Sequence, residues 1–117
     1  MSLLIRSKTI WVASAPIDFR RSIDGICAFI IEFFEEKPQE GMYVFYNGRK
    51  NRLKILVWHY NGFILLYKRL EKGKFPFCFS KPIKRISLQE KQLQGLLLGV
   101  DWQTITQWEE VNFEDYF

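Results

Sequence analysis

The sequence predicts an α+β fold: a single domain in which a twisted antiparallel β-meander of about four or five strands carries two packed α-helices. Three observations point there. Residues 42 to 70 are β-prone runs broken by Asn-Gly turn signals. Residues 23 to 34 repeat apolar side chains at spacings of three and four. Residues 87 to 99 join a capping pattern to a leucine stripe and a glycine stop. A chain of 117 residues has the size of one domain, and no repeat or Gly/Ser/Pro-rich linker divides it. Residues 1–102 are read as that domain and 103–117 as an acidic, aromatic tail.

In chain order, Ile10-Trp11-Val12-Ala13 is a short apolar run followed by Ser14-Ala15-Pro16, a buried strand ending in a turn. Ile23, Ile26, Cys27, Ile30 and Phe33 or Phe34 then form the stripe of an amphipathic helix that enters near Asp18 to Ser22 and stops at Lys37-Pro38. Tyr43 to Tyr46 is a strand running into Asn47-Gly48, Leu53 to His59 the next strand, Tyr60-Asn61-Gly62 a turn, and Phe63 to Leu70 a third strand. After Lys72-Gly73 comes Phe75-Pro76-Phe77. Proline has no N–H for a ladder, so this segment is an edge or leaves the sheet. Ser87-Leu88-Gln89-Glu90 has the spacing of a capping box and opens a second helix through Leu93, Leu96 and Leu97 to Gly99.

Composition sets the chemistry. Hydrophobic residues are 48% and aromatics 17% of the chain, which supplies a core and argues against disorder. Net charge is only +4, but residues 41 to 85 hold eleven Lys and Arg against one acid, Glu71, whereas residues 101 to 117 hold five acids and no base. The chain is a basic body with an acidic tail, and the tail is a candidate electrostatic gate over the basic part. No apolar run approaches the ~20 residues that span a bilayer. Cys27 and Cys78 sit in apolar surroundings without a CxxC or Cys/His cluster, which suits buried thiols in the reducing cytoplasm rather than a disulfide or zinc site.

The candidate interface is basic. Arg49, Lys50, Arg52 and Lys54 bracket the first hairpin turn, and Lys68, Arg69, Lys72 and Lys74 return beside it if the meander forms. Arginine and lysine bind phosphate by charge-assisted hydrogen bonds, and counterion release makes such binding salt-sensitive. A Lys-rich sheet edge also serves simply to block edge-to-edge aggregation. Tyr43, Tyr60, Phe63 and Tyr67 are candidates for base stacking, although aromatics on strands more often pack. Catalytic signals are poor: His59 is the only histidine and closes an apolar strand, no P-loop, nucleophile elbow or HExxH occurs, and Asp18, Asp24 and Asp101 are scattered. Asp18 and Asp24 lie where acids cap a helix. No enzyme and no cofactor are implied.

Several segments taken together resemble a known family. Asp18-Phe19-Arg20-Arg21-Ser22-Ile23-Asp24-Gly25-Ile26 is similar to the signature of the protein encoded by the second open reading frame of IS66-type bacterial insertion sequences, often called TnpB. Tyr43-Val44-Phe45 with Gly48-Arg49-Lys50-Asn51-Arg52-Leu53-Lys54-Ile55-Leu56 resembles its second motif, and Asn61-Gly62-Phe63 through Lys68-Arg69-Leu70-Glu71-Lys72-Gly73-Lys74-Phe75 its third. Ser87-Leu88 and Gln92-Leu93 through Gly99-Val100-Asp101-Trp102 resemble the fourth. Phe75-Pro76-Phe77-Cys78-Phe79 replaces the family's usual aromatic-Trp-Pro, and Leu98 stands where the family carries Glu. The resemblance implies a non-catalytic accessory role in transposition beside the transposase of the same element; the basic residues, rather than the resemblance, add DNA at the element's ends as the other expected partner. Arg20 and Arg21 fall in the first motif and join the basic residues that a DNA contact would use; an adapter that binds the transposase without touching DNA is the alternative.

Overall fold

Runs of β-branched, aromatic and alternating apolar residues form strands β1 (Thr9–Ala13), β2 (Gly41–Tyr46), β3 (Arg52–His59) and β4 (Gly62–Arg69), and a short β5 (Arg85–Leu88) completes the sheet. The computed structural model describes residues 8–79 and 83–101. Lys81, Trp102, Trp108 and the acidic tail from 103 to 117 lie outside the described residues, as does the gating role expected of that tail.

The strand order is β4-β3-β2-β1-β5, and the sheet is mixed. Strands β2, β3 and β4 make the expected antiparallel meander, with Val44 opposite Ile55 and Leu56 opposite Leu65. Strand β1 instead lies parallel to β2, Trp11 beside Tyr43, and antiparallel to β5. The difference has a plain cause. The helix between β1 and β2 carries the chain back to the end where β1 began, and a strand entered by such a crossover runs parallel to its predecessor.

That helix, α1 (Ile23–Phe29), continues as a wider π-helical turn over Ile30–Phe34 and ends at Glu35, whose left-handed φ of 56° stops it before Lys37-Pro38. It buries Ile26, Ile30 and Phe34 against Tyr43, Phe45 and Leu56 on one face of the sheet. Phe34 stacks on Phe45 with ring centroids 5.9 Å apart. Gly41 is required here, because a Cβ would stand 2.8 Å from the Tyr43 ring.

The opposite face, from Ile10, Val12, Met42, Val44, Leu53, Ile55 and Val57, is covered by α2 (Glu90–Leu97) through Leu93 and Leu96 and by the segment after β4. Phe75 and Phe77 are not a strand. They leave the sheet and cover its face, with Phe77 stacked on Tyr46 at 3.9 Å. Helix α2 stops at Gly99, left-handed with φ 79°, as expected. Its capping box is made by Gln89 and Gln92, not by Ser87 and Glu90, because Ser87 belongs to β5. Cys27 is half-buried and its thiol is pushed up by burial and by Asp24, but Cys78 is exposed on the covering segment.

Candidate nucleic-acid interface

Parallel pairing of β1 with β2 decides what meets what. The loop leaving β1, the loop joining β2 to β3, and the exit of β4 all fall at one end of the sheet, and the Ile17 N–H donating to the Tyr46 carbonyl (3.0 Å) ties the first two. All ten expected basic positions therefore gather at this end, Arg20 and Arg21 included.

The hairpin that presents them is not a two-residue Asn-Gly turn. The Asn47 side chain folds into the loop, its Oδ1 accepting from the Asn51 and Arg52 amides (both 3.0 Å) and its Nδ2 donating to Asn51 Oδ1 (2.6 Å). Lys50 takes the left-handed position at φ 59°. Asn47, Gly48, Arg49, Asn51 and Arg52 line a shallow, open hollow of about 290 Å³.

The ten positions do not share one task. Lys54 is 9% exposed, and its Nζ donates to the Phe19 and Arg21 carbonyls at 2.7 and 3.0 Å, so burial pushes its pKa down. Lys50 Nζ donates to the Phe77 carbonyl (2.7 Å), and Lys68 Nζ to the Leu97 carbonyl. Lys54 ties the loop after β1 to the sheet, Lys50 ties the hairpin loop to the segment after β4, and Lys68 ties β4 to the end of α2, so none of the three belongs to the set of cations without a partner.

Arg20 pairs with Asp18 at 2.7 Å, and this contact holds the Asp18 carboxyl at about 2. Asp18 thus closes its own turn, accepting from the Arg20 amide, rather than capping α1; Asp24 sits in the first turn of that helix. Arg21 donates to the Gly25 carbonyl and lies over the Phe29 ring. Arg69 meets Glu71 at 3.1 Å in an exposed pair of small energetic weight. Arg49, Arg52, Lys72 and Lys74 are exposed and have no side-chain partner among the described residues.

One juxtaposition was not visible along the chain. Arg52 and Arg69 stand directly opposite one another on β3 and β4, and the next pair inward on the same face is Lys54 opposite Tyr67. Like charges facing across a ladder destabilise it. The signal that could have found them is the strand alternation itself, once the loop length sets the register.

Arg85 also reaches this end, opposite Ala13, but its guanidinium lies between the Trp11 and Phe34 rings and pairs with Glu36 at 2.6 Å. It is a packing residue. His59 lies at the other end of the sheet, its ring edge-on to Tyr60. Among the described residues no group of three or more His, Cys, Asp or Glu side chains is placed to hold a metal ion, and no helix is long and apolar enough to cross a membrane.

A family model described as IS66 Orf2 like protein matches residues 8–107. The uncharacterized protein y4jC of Sinorhizobium fredii is 34% identical over 103 residues, covering 86% of this chain and 86% of its own length. A second protein of that organism, y4hO, is 27% identical over 95 residues, covering 80% and 82%. No solved structure matches the chain.

Proposed function

Since the chain belongs to the IS66 Orf2-like family of insertion-sequence proteins, we propose that it serves DNA transposition as a non-catalytic accessory protein that grips DNA, or the transposase–DNA complex, through the basic end of its sheet. The observation that carries this reading is the facing pair Arg52 and Arg69, of which Arg69 has the exposed Glu71 as its carboxylate partner, together with Arg49, Lys72 and Lys74, which have no side-chain partner among the described residues. Cations crowded at a cost to the ladder are relieved by an anion between them, and a phosphate backbone supplies a row of such anions. The contacts are to phosphate, so they position the protein with little reading of bases.

Fluorescence anisotropy with a duplex of the element's terminal repeats, titrated with salt, tests this. About five phosphate contacts give a log–log slope near −4 to −5, and the double variant Arg49→Ala, Arg52→Ala lowers its magnitude by about two. A flat slope, or a double variant that binds as the parent does, refutes it.

A second reading, an adapter for the transposase, is favoured by a different surface. Phe33, 43% exposed, and Ile83 border a hollow of about 290 Å³ with Pro16, Phe29 and Phe34. Transposase retained equally by the parent and by the double arginine variant, with no affinity of either for free DNA, would select that reading.

A further inference from the structure

We infer that the basic end of the sheet takes unpaired DNA in preference to duplex, with Tyr67 as the surface on which a base stacks; this rests on the reading that this end contacts DNA at all. Four aromatic residues were candidates for such a platform, and the fold separates them. Tyr43 is buried, its hydroxyl donating to the Lys37 carbonyl at 2.9 Å. Phe63 packs edge-on against Trp58 at 4.9 Å, and Tyr60 lies in the turn at the opposite end of the sheet. Tyr67 alone of the four borders the basic end, and it is 53% exposed.

Its surroundings suit a base with phosphates on either side. Along β4, Arg69 follows on the same face two residues on, roughly 7 Å away, and Arg52 stands across the ladder from Arg69. Behind the tyrosine is Phe19, with ring centroids 6.3 Å apart. Phe19 is itself fixed, because Lys54 lies 4.9 Å over its ring and donates to its carbonyl. Tyr67 thus packs against a fixed ring and keeps about half of its surface exposed, and Arg20 and Arg21, which follow Phe19 in the chain, are exposed as well. In a duplex each base is covered above and below by its neighbours, so an exposed ring adds little there. In a single strand the base face is free, and stacking on an aromatic ring is worth about tenfold or more in affinity per base.

The test compares a ~20-nucleotide strand without self-complementarity with its blunt duplex, at one salt concentration, using the full chain. The single strand is expected to bind more tightly. Tyr67→Ala and Tyr67→Leu should each weaken single-strand binding about tenfold while leaving duplex binding unchanged, Tyr67→Phe should retain it, and Tyr60→Ala should change neither. Duplex binding as tight as single-strand binding would overturn the inference, and so would Tyr67→Ala weakening both probes alike or neither. If the parent protein binds neither probe, the DNA reading of the basic end has failed, a result separable from the loss of strand preference.

Discussion

At the scale of residues, Lys54 and Arg52 show how little a cation's identity says about its work. Both lie on one face of β3, two positions apart, in a run that reads as uniformly basic. The loop carrying Phe19 covers Lys54 and leaves Arg52 in water, and that loop is more than thirty positions away in the chain. No local pattern could separate the two. Lys54→Ala strips a donor from two loop carbonyls and should cost about 2 kcal/mol in urea denaturation, whereas Arg52→Ala should stay within about 0.5 kcal/mol. Proton linkage gives a second readout. Burial lowers the folded-state pKa of Lys54 below the ordinary 10.5. Between those two values the unfolded chain binds the extra proton, so stability rises with pH across that interval and the cost of burying the charge is fully present below it. Lys54→Met should flatten that rise.

At the scale of elements, the meander, both helices and the glycine stop were legible, because periodicity and turn chemistry are local. The fifth strand was not. Phe75-Pro76-Phe77 has the aromatic content of a strand, yet proline cannot donate to a ladder, and the segment serves as a lid over Tyr46. Arg85–Leu88 is short and half polar, and it is a strand only because β1 offers it a free edge. Phe77→Ala should therefore behave as a core deletion, destabilising by about 3–5 kcal/mol in thermal or chemical unfolding. A value near zero would mean the segment is an ornament of the surface.

At the scale of the whole molecule, positive charge is drawn to one end of the sheet by topology as well as by composition, since β1 parallel to β2 brings Arg20 and Arg21 beside the hairpin cations. Self-repulsion at that end should make the free protein's Tm climb as salt is raised from millimolar to physiological strength, as screening takes hold within about 8 Å. On the proposed reading saturating DNA reverses the sign, because a ligand that binds only the folded protein stabilises it and is itself released by salt. Calorimetry at several salt concentrations, with and without DNA, checks both signs. The parallel pairing has one more consequence, for the order in which the protein is made. Hairpins β2–β3 and β3–β4 close over a few residues, whereas β1 must wait for the crossover helix before it meets β2 and for residue 85 before its outer edge is paired. Loop closure over so long a stretch is slow. A chain emerging from the ribosome therefore carries its first strand with an open edge until nearly the whole sheet has been synthesised, and β5 is the piece that seals it.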